Sequence, residues 1–348
     1  IVPPVGAGLR RAAPNGRPVL PRRPHRGGGE ALGGGLRDVG LSVSHRRLHP
    51  GNHGIPGPLR STREQVFFGG KGVNVSSVLH TLGVASVATG FLAGFTGQAI
   101  ETELARQGIG TDFVFLPDGF TRINLKLRTG VETDINGGGP VIGPADLAAL
   151  EEKLTRLRAG DIAVLAGSVP LSLAGNPYAD LMAHLAGRGL RFVVDTTGTQ
   201  LRSVLPLQPF LVKPNGQELG ELFGVRIASA AEAAKYATRL QELGARNVLV
   251  SLGAQGAVLA DETGRIWQQP ACRGETVNTV GAGDSMVAGF LAGFAQAGSY
   301  QEALRLGTAC GSATAFCEGL AAAAQIHALQ KALAPTQKLE KPEGSAVK

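Results

Sequence analysis

Four short apolar runs recur between residues 161 and 253: "DIAVLAG" (161–167), "RFVVD" (191–195), "FLVK" (210–213) and "NVLVSLG" (247–253). Each is too short for a buried helix and too continuously apolar for a sheet with one wet face. Each therefore reads as a strand covered on both sides. Helical segments separate them, among them "AEAAKYATRLQELG" (231–244). Strands alternating with helices restrict the chain to an α/β architecture on a mostly parallel sheet. Upstream, "VNVSSVLHTLG" (73–83) sets Val75, Val78, Leu79 and Leu82 at helical spacing and stops at Gly83, and "ASVATGFLAG" reads as a strand leaving that helix. "TRINLKL" (121–127) alternates strictly, with Arg122, Asn124 and Lys126 opposite Ile123, Leu125 and Leu127. That is a half-exposed strand with a cationic face. Residues 299–333 read as closing helices and 335–348 as a disordered, solvated tail.

The net charge of +7 would suit a nucleic-acid binder if it were spread over a domain. It is not. Residues 1–60 carry ten arginines and two acidic residues, Glu30 and Asp38, a local charge of +8, so the rest holds 24 basic against 25 acidic residues. The same sixty residues hold 13 of the 51 glycines and 9 of the 20 prolines, a composition that should not fold alone. The arm has neither interleaved aromatics nor a reading helix, so no nucleic-acid partner is expected. A boundary is expected near Arg60, with the folded domain over 61–334. No run approaches the roughly 18 apolar residues of a membrane span, and the Arg- and Pro-rich start has no apolar signal core. Cys272, Cys310 and Cys317 have no metal-ligand spacing and are expected to be reduced and buried. The expected protein is a cytoplasmic enzyme without a membrane partner.

Ligands of open α/β sheets bind at the carboxyl ends of the strands. Gly167-Ser168, Asp195, Lys213-Pro214-Asn215 and Ser251 to Gly256 all fall there, together with the loop Gly281-Ala282-Gly283-Asp284 that opens an apolar helix. Singly they read as a turn, a helix cap, a solvated lysine, a hairpin turn and a capped helix. Their convergence on one edge points to a phosphate site, because a helix N-terminus offers bare N–H groups and partial positive charge. Gly69-Gly70-Lys71-Gly72 is a second glycine loop entering a helix. It is not a P-loop, and no spaced G-x-G-x-x-G follows a strand. Two such loops and a cationic strand suit a nucleoside triphosphate meeting a second substrate. Gly281, Ala282 and Gly283 would then donate N–H groups to the moving phosphoryl group. Asp284 would take the proton of the attacking hydroxyl.

"GGKGVNVSSVLHTLG", "TRINLKL", "KPNGQEL", "SLGAQGAVL" and "NTVGAGDSMVAGF" together resemble the ribokinase-like sugar kinases of the phosphofructokinase B family, over about Thr62 to Leu320. "TDINGGGP" (133–140) and Met286 resemble its 1-phosphofructokinase branch, with tagatose-6-phosphate kinase the nearest competitor. The resemblance implies a three-layer α/β/α fold with a small β lid, and ATP-dependent phosphorylation of fructose 1-phosphate. Tagatose 6-phosphate and fructose 6-phosphate are the alternative acceptors. It also implies roles: Asp284 as base, Gly281, Ala282 and Gly283 as anion hole, and Gly70 and Asn74 at the sugar. Arg122 and Lys71 would face the phosphate already on the substrate. Lys213, Ser251, Gly253 and Gly256 would bind nucleotide, and Glu218 would place Mg²⁺ through water. A homodimer through the lid is a further implication. The chain departs from the family at its start. Family members open with a core strand ending in an Asn-Pro-Ala-Leu-Asp-like turn, and here only Asp38 precedes Ser61. The first sheet strand and part of the lid are therefore expected to be missing or replaced, "VGLSVS" (39–44) being the nearest substitute, and most of residues 1–58 irregular. Either a divergent extension or GC-rich DNA read out of frame accounts for such a segment, and the kinase as written would then be weakly active or inactive.

Overall fold

The computed structural model describes residues 64–341, apart from 129–131, 170–172 and 174, together with the backbone of two earlier strands. Those two are β1 (Leu32–Gly35) and β2 (Gly40–Arg46). Next come β3 (Glu64–Gly69), α1 (Lys71–Thr81), β4 (Val87–Ala93), α2 (Gly94–Gln107), β5 (Gly110–Thr111) and β6 (Val114–Leu116). The hairpin β7 (Ile123–Arg128) and β8 (Glu132–Asn136) leads to α3 (Pro144–Leu154), β9 (Ile162–Ala166), α4 (Pro177–His184), β10 (Arg191–Asp195) and α5 (Gly198–Val204). Then follow β11 (Leu211–Val212), α6 (Gly216–Phe223), α7 (Ala230–Glu242), β12 (Asn247–Ser251), β13 (Ala257–Ala260) and β14 (Ile266–Gln269). The chain closes with α8 (Ala282–Ala297), α9 (Tyr300–Ala315), α10 (Ala323–Ala332) and β15 (Gln337–Leu339).

The main sheet runs β15-β14-β13-β12-β11-β10-β9-β1-β4-β5, with β6 also on β4. Pairing is parallel from β12 to β5 and antiparallel across β12, β13, β14 and β15. The apolar runs are continuous because helices cover both faces. Ile162, Val164, Val193, Leu211 and Leu249 pack toward α1, α8 and α9. Their alternates Ala163, Leu165, Val194, Val212 and Val250 pack toward α4, α6 and α7. Successive residues thus point to opposite layers, as the two-residue period of a strand requires. A third cluster seats α2 on β4 through Ile100, Leu104, Ala88 and Leu92. The three-layer expectation holds.

Its limits do not. The slot of the first strand is filled: β1 lies between β9 and β4, with Gly33 opposite both Val164 and Ala88. Of "VGLSVS", Gly40 to Ser44 fall in strand β2, which belongs to the lid rather than the main sheet. Backbone pairing needs no particular side chain, so a Gly-rich segment can occupy a position where an apolar run was expected. At the other end β15 pairs with β14, so the tail joins the sheet edge before its last seven residues, which lie outside the described ones. Most of residues 1–58, Asp38 included, also lie outside them.

The lid is a second sheet, β3-β2-β7-β8, parallel only between β2 and β7. Cross-strand partners share a face. Asn124 pairs with Asn136 and Lys126 with Asp134, while Leu125 pairs with Ile135 on the opposite face, which Val66 of β3 also shares.

Candidate active site

Two helices begin at the same place. Gly70, the N-cap of α1, has φ 137° and ψ 150°, a region that only glycine enters cheaply. Asn74, one turn on, donates its N–H to Gly70 O at 2.7 Å and its Nδ2–H to Asp284 Oδ2 at 2.8 Å. A Cβ on Gly69 would lie 2.9 Å from Asn74 Oδ1 and displace that amide. Gly281, the N-cap of α8, is left-handed at φ 80°. A Cβ on Gly283 would lie 3.1 Å from Lys213 Nζ, so the missing side chain is what lets the lysine reach the helix terminus. Ala282 takes no part in this opening: its N–H donates to Thr279 O at 3.2 Å, and it does not line the cavity. Among the described residues, the N–H groups of Gly281 and Gly283 have no backbone acceptor.

Behind the loop lies a buried charge cluster. Asp195, at the end of β10, is not a helix cap. Its Oδ2 stands 3.4 Å from Lys71 Nζ and its Oδ1 3.5 Å from Lys213 Nζ. Burial raises the pKa of Asp284 to about 6, and the neighbouring Asp195 charge pushes in the same direction. The Asn74 hydrogen bond and the Lys71 and Lys213 charges oppose the rise. A carboxylate poised near neutral pH is matched to accept a proton and release it again.

These groups line one cavity of about 870 Å³ between the strand ends and the lid. Ser168 enters it from the end of β9, where the Tyr178 hydroxyl holds the strand terminus, 2.8 and 3.1 Å from the carbonyl oxygens of Ala166 and Gly167. The lid contributes Arg122, Asn124 and Lys126. Lys126 is neutralised by Asp134 at 2.5 Å, so the expected cationic face is narrower than its sequence suggests. Gly139, at φ 73°, takes the left-handed turn that carries the chain past Arg122.

On the far side Asn215 and Glu218 form a capping box at α6. Asn215 N–H donates to Glu218 Oε2 at 2.8 Å, and Glu218 N–H to Asn215 Oδ1 at 2.8 Å. Glu218 also lines the cavity. Lys213 stands beside Asp284 rather than at the turn after β12. Ser251, Gly253 and Gly256 of that turn do not line the cavity; Ser251 reaches it only through a backbone bridge to Asn215. The lining residues Gln65, Phe67, Asn278 and Glu318 carried no local signal, being neither glycine loops nor helix caps.

Two helix N-termini, two lysines and a buried carboxylate thus converge in one cavity beneath a β lid, an arrangement chemically suited to phosphate groups. The sequence matches the pfkB family of carbohydrate kinases over residues 51–326. It is 44% identical over 273 residues to a 1-phosphofructokinase of Bacillus subtilis, covering 78% of this chain and 89% of that one. To a D-tagatose-1-phosphate kinase of Bacillus licheniformis it is 36% identical over 268 residues, covering 76% and 88%. The fold superposes on phosphofructokinase-2 from Escherichia coli in complex with substrates and products, with a TM-score of 0.80, 28% identity and coverage of 87% and 99%. The chain belongs to the pfkB family of carbohydrate kinases. Among the described residues no helix is long and apolar enough to cross a membrane.

Proposed function

We propose that this protein transfers the γ-phosphoryl group of ATP to the C6 hydroxyl of fructose 1-phosphate, giving fructose 1,6-bisphosphate and ADP. The observation that carries the reading is Asp284, buried at the opening of α8 and oriented by Asn74. In the transfer, a lone pair of the C6 oxygen forms the new O–P bond while the bond to the β–γ bridging oxygen breaks. The hydroxyl proton passes to the Asp284 carboxylate. Gly281 and Gly283 present N–H groups, and Lys213 a cation, where negative charge builds on the moving group. Gly70 and Asn74 hold the sugar, and Arg122 with Lys71 the phosphate it already carries. The turn bearing Ser251, Gly253 and Gly256 takes the distal part of the nucleotide, joined to the cavity by the Asn215–Ser251 bridge.

Mg²⁺ suits this donor set. No cluster of three metal-ligating side chains exists among the described residues. A lone carboxylate such as Glu218 is what the ion uses when phosphates and water fill the rest of its shell. Bound there, it would neutralise phosphate charge. The exposed apolar residues Val66, 51% exposed, and Ile135, 54% exposed, support a homodimer through the outer lid face.

A panel of fructose 1-phosphate, tagatose 1-phosphate, tagatose 6-phosphate, fructose 6-phosphate and fructose, read by ADP release, tests the acceptor. Fructose 1-phosphate should give the highest kcat/KM. Asp284→Asn should lower kcat at least ~10²-fold on that substrate while ATP affinity changes little. Equal rates on free fructose, or near-normal turnover by the variant, would sink the assignment.

A further inference from the structure

We infer that Glu318 and Gln65 are positioning residues that tie the lid to the turn opening α8, so that seating of the lid on the sugar sets the geometry of the phosphoryl site. The inference rests on the kinase reading above. Gln65, on lid strand β3, donates from Nε2 to Glu318 Oε2 at 2.9 Å across 253 residues of sequence. The main-chain oxygen of Glu318 accepts Asn278 Nδ2–H at 2.8 Å, and Asn278 Oδ1 accepts the N–H of Val280 at 3.1 Å. Val280 immediately precedes Gly281, so one residue holds the lid with its side chain and the α8 turn with its backbone.

The next two residues repeat the arrangement by packing. A Cβ on Gly319 would lie 3.2 Å from Phe67 Cε1 of the lid, and Leu320 Cδ2 sits 3.1 Å from where a Gly281 Cβ would be. The segment is anchored behind as well. Ala321 N–H donates to Thr314 Oγ1 at 3.4 Å, and that hydroxyl is 2.8 Å from Ser285 Oγ on α8. A lid that swings off the sugar must break Gln65–Glu318 and withdraw Phe67 from Gly319. Both contacts bear on the backbone that presents Gly281 and Gly283.

The full-length protein is compared with Gln65→Leu, Glu318→Ala, Glu318→Gln and the double variant Gln65→Leu/Glu318→Ala. The acceptor is whichever ketose phosphate the parent turns over, so a wrong acceptor revises the substrate assignment and leaves this test intact. Gln65→Leu and Glu318→Ala should each raise KM for the phosphosugar about tenfold, the loss of a hydrogen bond to a charged group. KM for ATP should stay within about twofold. The share of ATP hydrolysed without sugar should rise. Glu318→Gln keeps an acceptor and should behave like the parent. The double variant should be no worse than either single one, as coupled residues require. Additive losses in the double variant, or a lowered Tm with both KM values unchanged, would overturn the inference. A parent inactive on every ketose phosphate would overturn it together with the kinase reading.

Discussion

Asp284 carries a cost that its role explains. Its carboxyl group is raised from 3.8 to about 6, so the folded protein binds that proton more readily than the unfolded chain. For an acid shifted upward, the penalty is absent below the unfolded value near 4, builds between there and about 6, and is constant above that. Asp284→Asn should therefore stabilise the protein at pH 8 by about 3 kcal/mol and by nothing below pH 4, measured by denaturant unfolding. The same carboxyl group must be ionised to accept a proton, so kcat/KM should fall as pH drops through about 6. Lys213→Met removes a charge that favours ionisation and should move this acid limb to higher pH; an unmoved limb would assign it to another group. Arg122 acts on the other substrate. Arg122→Ala should raise KM for the phosphosugar by one to two orders of magnitude, roughly a lost charge-assisted contact, and leave KM for ATP nearly unchanged.

At the scale of elements, α8 is placed by what its partner lacks. A Cβ on Gly289 would lie 2.6 Å from Cys310 Sγ and 2.7 Å from Leu306 O, and one on Gly307 would lie 2.8 Å from Met286 O. α8 and α9 thus meet backbone to backbone, and the position of Asp284 follows from that contact. Gly289→Val should cost at least about 2 kcal/mol in denaturant unfolding, in the range of core overpacking, and lower kcat as well. The helix-opening loops around Gly70 and Gly281 were legible in the sequence because caps and glycine conformations are local. The strands of the central sheet were legible because burial on both faces leaves unbroken apolar runs. The bridging of Lys71 and Lys213 by Asp195 was not, since strand order brings together groups that sequence keeps 124 and 18 residues apart. Nor was the engagement of the Ala282 N–H, which depends on how the preceding turn closes. β1 escaped because three glycines carry no burial pattern, and β15 because a three-residue edge strand has no period to detect.

At the scale of the whole molecule, the lid has a polar face toward the cavity and an apolar row outside. Such a face is the kind that a second copy covers. On the proposed dimer, Ile135→Asp should give a monomer in light scattering while leaving unfolding of the three-layer domain unchanged. A parent already monomeric at micromolar concentration would remove the dimer.

β1 is the only described link between the two halves of the main sheet, since β9 and β4 meet only across it. Gly33 pairs with Ala88 and with Val164, the second roughly 130 residues further along the chain. During synthesis β1 must therefore wait for roughly 130 further residues to emerge before both its edges are occupied. Such a closing step is slow, because a long loop is ordered before its contacts form. The window in which the bare edges of β4 and β9 can find the wrong partner should thus depend on a four-residue strand that is three-quarters glycine.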